Sequence, residues 1–396
     1  MNRNVPLSVL DLVPITSGST AAEALRNSVD LSRQAERLGY ARYWFAEHHL
    51  NAGVAGVSPA VVIALVASAT SSIRIGSGGV QLGHRTALSV VEEFGLLDAV
   101  YPGRLDLGLG RSAGRPRRRS GAGSDGPEGT PRVAQTAAGG GVSPAVAQAA
   151  AAGAAPNGLR IPQRFPIERL LRSPRIAVQR RLLQQPNAES PDYGEQIGEI
   201  LALLRGEYRS DEGLEAHAVP GEDAAVEIWI LGSSGGESAE VAGRNSLRFA
   251  ANYHVSPATV LEAAEGYRAA FRPSPELPEP YIAVSADAVV AEDEETAREL
   301  ATGYGLWVYS IRGGAGAIPF PSPAEARDHN WTEEERALVA DRVDTQFVGS
   351  PRQVADQLRQ LQEATGADEL VVTTITHEHA DRVRSYELLA REWSAR

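Results

Sequence analysis

The sequence predicts an α/β fold of the (β/α)8 type, a TIM barrel with insertions after the fourth and seventh strands. Three observations carry this reading. Apolar β-like runs alternate with amphipathic helical segments, and eight such strand–helix units can be counted. The strand runs are almost continuously apolar, the pattern of parallel strands covered by helices. A barrel of this kind needs about 250 residues, and two low-complexity stretches take up much of the excess in the 396-residue chain. The span 1–396 therefore reads as one domain.

Each element can be placed in order. Residues 5–13 form the first strand, and 20–38 follow at helical spacing, with Gly39 standing where a helix ends in the left-handed conformation. The second strand, 41–46, leads to helix 59–70; the third, 73–82, to helix 87–100; the fourth is 105–109. Residues 113–160 are then rich in Ala, Gly, Pro and Arg, with Arg117-Arg118-Arg119 and Gly139-Gly140-Gly141, and read as a flexible insertion or, alternatively, a lid. Regular structure resumes with helix 193–204. The fifth strand, 226–231, is followed by helix 237–244, and the sixth, 247–253, by helix 257–271. The seventh strand, 281–290, precedes helix 294–300, after which a Gly/Pro-rich stretch, 313–323, interrupts. Helix 351–365, the eighth strand 369–374 and helix 379–393 complete the series.

Composition excludes several classes of function. The formal charge of −12 disfavours nucleic acid and anionic membranes, which need a basic face. With no cysteine there are no disulfides, thiolate nucleophiles or Cys-ligated metals. All 38 basic residues are arginine, so neither a Schiff base nor a P-loop lysine is available. The N-terminus has no apolar signal region, and the longest apolar run, 60–69, is too short to span a bilayer. A cytoplasmic protein is expected.

Working residues of such barrels sit at the C-terminal ends of the strands. Those ends carry Glu47-His48-His49, Ser77-Gly78-Gly79, Gly108-Leu109-Gly110-Arg111, Gly232-Ser233-Ser234-Gly235-Gly236, Asn252-Tyr253-His254 and Thr376-His377-Glu378-His379. Five of the eight histidines lie in three of these six places, which points to a site rich in imidazole. Glu47 beside His48 makes a general base or a hydrogen-bond donor, or else a structural pair on the barrel rim. The 232–236 turn, with free backbone N–H groups and two hydroxyls, makes an anion site or a plain serine cap, and Arg111 reads either as the charge opposite a phosphate or as a surface arginine. Gly108, Gly110 and Gly114 have the wrong spacing for a dinucleotide fingerprint. His377 and His379, with Glu47, His48 and His49, admit a metal-dependent hydrolase as a reading from a different class.

Four segments, 35–49, 75–80, 102–108 and 231–234, each at the expected strand end, resemble the bacterial luciferase-like flavin-dependent monooxygenases. The resemblance implies an FMN-dependent oxidoreductase of the two-component kind. Reduced FMN would come from a separate flavin reductase, O2 would add to form a C4a-hydroperoxyflavin, and one oxygen would enter a small organic substrate. It implies His48 as the catalytic histidine over the flavin, with Glu47 fixing its orientation or raising its pKa. Gly78-Gly79 matches a non-proline cis peptide against the ring, Arg111, Ser233 and Ser234 match phosphate-holding positions, and Tyr253 matches an aromatic near the ring. Relatives pair as homodimers through the helices here at 59–70 and 87–100. A deazaflavin-dependent oxidoreductase on the same barrel and an inactive flavin binder are the alternatives. One departure concerns Glu237, which stands where relatives can place a phosphate-binding hydroxyl; a carboxylate there repels phosphate unless turned away, and Ser238 can substitute.

Overall fold

The structure is a computed structural model that describes residues 4–111, 143–167, 170 and 173–396. Its strands are β1 (Leu7–Asp11), β2 (Arg42–Phe45), β3 (Arg74–Ser77), β4 (Val80–Gln81), β5 (Leu105–Gly110), β6 (Glu227–Gly232), β7 (Arg248–Asn252), β8 (Ile282–Val290), β9 (Phe347–Gly349) and β10 (Glu369–Thr373). Eight of them run β1-β2-β3-β5-β6-β7-β8-β10, all neighbours parallel. The ring closes where β10 pairs with β1 on one side and β8 on the other, at Leu7↔Leu370 and Ser285↔Val371. The expected (β/α)8 barrel is the observed one. The third predicted strand is divided into β3 and β4 at Gly78-Gly79, whose peptide bond is cis.

Side chains alternate across the strands. Leu10, Trp44, Trp229, Ala250, Ala283 and Val371 share one apolar cluster inside the barrel. Their neighbours Val9, Tyr43, Ile230, Phe249, Val284 and Val372 pack beneath the helices in the other. Tyr304, Trp307 and Val308, from helix Gly303–Arg312, join the inner cluster together with Phe320. The insertion after β8 is thus packed onto the barrel.

The structure corrects the reading of both insertions. Residues 113–142 lie outside the described residues, but 143–160 are not structureless. Ser143 caps helix Pro144–Ala152, and Gly153, at φ 72°, ends it in the left-handed conformation. After β8 the chain forms three helices the sequence reading missed, Gly303–Arg312, Pro323–Asp328 and Glu333–Val343. The last two announce themselves by capping boxes, Ser322 with Glu325 and Thr332 with Glu335.

At the N-terminal ends of the strands the barrel is plugged by charge. Arg42 is buried and donates to Asp106 at 2.8 Å, Glu227 at 2.9 Å and Glu369 at 3.1 Å. Arg74 and the Trp44 indole also donate to Asp106, both at 2.8 Å, and Tyr281 donates to Glu369 at 3.0 Å. Arg248 stands 3.5 Å from Glu227. Removing one member of a buried group like this leaves uncompensated charge, which typically costs about 3–5 kcal/mol. Arg42→Met is therefore expected to lower the unfolding free energy by about that amount. Arg244→Met, which breaks only an exposed pair with Glu240, should change it by less than about 0.5 kcal/mol. Urea denaturation of the two variants makes the comparison, and equal midpoints would show that the plug is dispensable.

Candidate active site

The chain leaves β2 as Ala46-Glu47-His48-His49, and neighbouring residues there take opposite roles. Glu47 is buried, and its Oε1 accepts from His49 Nε2 at 2.8 Å and from His84 Nε2 at 3.1 Å, with Arg85 at 3.4 Å. Its Oε2 accepts the Gln81 N–H at 2.9 Å. Burial opposes the charge, but the two imidazole hydrogen bonds, Arg85 and the Gln81 N–H outweigh it and hold the carboxyl down to about 2. His48 takes no part in this hub. Its Nδ1 is buried with no partner, and burial, helped by neighbouring His49, pushes the ring down to about 4. Glu47 makes no hydrogen bond that would orient His48; its charge does act to raise the His48 pKa, as expected, but burial and His49 outweigh it. Residues two apart on an extended segment share a side, so Glu47 turns with His49 and away from His48. His84 was missed, although it directly follows the apolar run of the third predicted strand.

His48 opens onto a cleft of about 300 Å³ whose wall includes Gly78, Gly79, Gly110, Arg111 and Leu231. The glycines are dictated by space. A Cβ on Gly79 would lie 2.6 Å from the Gly108 carbonyl oxygen and 2.9 Å from Leu231 Cδ1, and one on Gly78 would lie 2.8 Å from Leu10 Cδ1. Gly78, Gly79 and His48 thus line the same cleft, with no room for a side chain on either glycine.

Arg111, where β5 ends, reaches the turn after β6 and pairs with Glu237 in the first turn of helix Glu237–Arg244. The Ser233 carbonyl accepts from Thr259 Oγ1, and the Gly235 N–H is given to Glu262 Oε1 at 3.2 Å. The turn expected to offer free N–H groups has thus lost one of them to a carboxylate. Tyr193, missed by the sequence reading, is buried here. It donates to the Leu109 carbonyl at 3.3 Å, hydrogen-bonds Ser238, and lies in the fields of Arg111 and Glu237.

Tyr253 lies elsewhere. Its ring belongs to the outer cluster, packed 5.7 Å from Phe347, and its hydroxyl donates to the Arg160 carbonyl at 2.7 Å. The next residue, His254, is on the other side. Its Nδ1 is 2.7 Å from Ser285 Oγ, and burial, then the charges of Arg342 and His48, push it down to about 3. The metal reading built on the last strand also fails. His377 is held by Glu378 at 2.8 Å and by Ser17, and His379 by Asp30 at 2.9 Å, so neither reaches Glu47. Glu47, His49 and His84 do bring three potential ligand atoms within 4.8 Å of one another. The shared oxygen, however, already receives two imidazoles and faces Arg85, whose charge opposes a cation there.

These environments set a pH dependence. His48 and His254 have native values below the ordinary 6.5, so the unfolded chain binds their protons first as pH falls. Stability is therefore full above about pH 6.5 and is lost as pH drops toward 4, with Glu47 adding a loss in the same direction below about pH 4.5. Between pH 6 and 5 the two imidazoles should take up about two protons on unfolding, offset in part by the proton that Asp287, held up to about 6 by burial, releases. Denaturant midpoints measured against pH should show this, and His254→Asn should remove about one proton of slope. An unchanged slope would refute the assignment for His254.

Residues 5–135 and 178–369 match the family described as luciferase-like monooxygenase. The chain is 35% identical over 393 residues to the uncharacterized protein YvbT of Bacillus subtilis, covering 98% of this chain and 97% of that one. The solved structure of apo-MsnO8 superimposes with a TM-score of 0.74 at 30% identity over 98% of each chain. Two more distant structures share the fold alone. One is the oxygenating constituent of 3,6-diketocamphane monooxygenase of Pseudomonas putida in complex with FMN, with a TM-score of 0.61, 17% identity and 99% of each chain covered. The other is an F420-dependent secondary alcohol dehydrogenase, with a TM-score of 0.58, 14% identity, and 98% and 99% covered. The ordered strand-end motifs, the closed parallel barrel and the family match agree: this chain belongs to the luciferase-like monooxygenase family.

Proposed function

We propose that this protein is a flavin-dependent monooxygenase that receives reduced FMN from a separate reductase and transfers one atom of O2 to a small organic substrate. The observation that carries the reading is the cleft itself. Gly78, Gly79, His48 and Arg111 line it together, and the buried Nδ1 of His48 has no partner within the protein. A flat ring fits against backbone that no Cβ can crowd, and a phosphate fits an arginine beside the 233–236 turn. When bound, reduced flavin supplies the electrons that activate O2.

The chain's own residues do the rest. Arg111 and the Ser233-Ser234 turn hold the phosphate, and the Gly78–Gly79 segment carries the ring. His48, neutral at pH 7, offers one N–H donor and one acceptor, so it holds or passes a proton at the reacting face. Glu47 fixes His49 and His84 and thereby the loop from which His48 projects. Helix Gly303–Arg312 and its aromatic residues help exclude water.

Anaerobic titration tests the reading directly. Reduced FMN should bind in preference to a reduced deazaflavin, and admitting air should consume O2. In His48→Ala, FMN affinity should stay within a few fold, while the rate of oxygen transfer falls by about 10²–10⁴ and O2 uptake is uncoupled into H2O2. Preference for the deazaflavin, or unchanged coupling in the variant, overturns the corresponding part of the proposal.

The same reading includes a homodimer. Val61 and Leu65 on helix Pro59–Ala67 are 60% and 47% exposed, and Leu96 and Val100 on the neighbouring helix Ala87–Val100 are 61% and 66% exposed. Apolar side chains grouped like this on two adjacent helices mark a surface that is normally covered. Light scattering should give twice the mass of the 396-residue chain, and Val61→Glu with Leu96→Glu should give the single chain. A wild-type monomer at micromolar concentration removes the idea.

A further inference from the structure

We propose that Glu237 is an internal anion that occupies Arg111 when no cofactor is bound, and that a phosphate-bearing cofactor binds by displacing it. The proposal rests on the cofactor reading above and adds a residue that sets how tightly, and how exchangeably, the cofactor is held. The donors that a phosphate would use are already engaged by the chain's own carboxylates. Arg111, 59% exposed, is paired with Glu237, 35% exposed, and the Gly235 N–H is given to Glu262. Helix Glu237–Arg244 starts at Gly236 with no side-chain cap, and its first turn carries Glu237 and Glu240, so the positive end of its dipole is already answered. Tyr193 and Ser238, hydrogen-bonded to each other beside Arg111 and Glu237, bring two hydroxyls to the same place.

The balance between the two anions follows from exposure and charge. An ion pair this exposed is weak, because water and salt screen it and two long side chains must be held still. A phosphate dianion matches the guanidinium fork with two oxygens and carries more charge, so it wins Arg111. The displaced carboxylate then stands near a dianion and must turn to solvent, which its exposure permits. Glu237 therefore lowers the affinity without abolishing it. Fast release suits a protein whose cofactor arrives reduced from another enzyme and leaves oxidised.

Glu237→Gln keeps the size and removes the charge. Isothermal titration of the ligand-free protein should show FMN binding about three- to tenfold tighter in this variant, the factor expected for losing an exposed competing pair and a nearby like charge. Riboflavin, which has no phosphate, should bind both proteins alike. Arg111→Ala should weaken FMN about tenfold or more and leave riboflavin unchanged. In the Arg111→Ala background Glu237→Gln should gain less than twofold, because there is no guanidinium left to compete for. Thermal unfolding of each variant verifies that it is folded. If wild type binds FMN better than riboflavin but Glu237→Gln binds FMN no more tightly, the competition is refuted and the cofactor reading stands. The same tightening in the Arg111→Ala background would also refute it, by showing that Glu237 acts through space and not by holding Arg111. If wild type does not distinguish FMN from riboflavin, the phosphate assignment fails and the proposal with it.

Discussion

Arg42 reaches three carboxylates, Asp106, Glu227 and Glu369, from the start of β2, and Arg74 and Arg248 complete a group of three cations and three anions. The six side chains come from six different strands, β2, β3, β5, β6, β7 and β10. Charges removed from water to this degree are tolerated only when each finds its partners. A strand that slipped by one residue would turn its charge out of the lumen and leave another unpaired, so the group acts as a register lock. Whatever register is set at this floor is carried a few residues up each strand to the mouth, where the site lies.

The mouth is organised on the opposite principle. At the floor all three carboxylates are held by Arg42, with Arg74 and Arg248 adding charge, whereas some polar groups at the mouth are left with capacity to spare. His48 Nδ1 and Asn252 Oδ1 are buried without a partner. Unmet hydrogen-bonding groups are costly in a static interior, and they accumulate where something else is meant to bind. The contrast between a floor held together by ion pairs and a mouth carrying an unpartnered imidazole matches the usual division of a barrel into a stabilising end and a working end.

How much of this was legible in the sequence depended on how local the cause was. The eight barrel strands and most of the covering helices followed from apolar runs and 3.6-residue spacing, because those are local signals. Glu47, His48, Gly78, Gly79 and Arg111 were found because strand ends are where barrel chemistry sits, and all five line one cleft. Of the four helices between β8 and β9, the last three were hidden by the Gly/Pro-rich stretch in their midst. Residues such as Tyr193, Glu262 and His84 were harder, since what brings them to the site is a contact between elements far apart in the chain. Glu262 gives no hint in its own helix that it will accept the Gly235 N–H.

Two adjacent pairs show where local reasoning stops. In Glu47-His48 and in Tyr253-His254 the sequence marks both residues as candidates, and nothing local says which way each side chain turns. The barrel decides by alternation. Tyr253 follows Phe249 and Ala251 onto the outer face, where its ring meets Phe347, and His254 turns inward to Ser285. Beyond β2 the same rule groups Glu47 with His49 and leaves His48 without a carboxylate. A carboxylate next to a histidine in sequence raises the expectation of a charged imidazole, but the fold places that carboxylate one residue out of phase. The result is a neutral ring at the cleft with an ionised hub beside it, a separation that a one-residue shift in register would reverse.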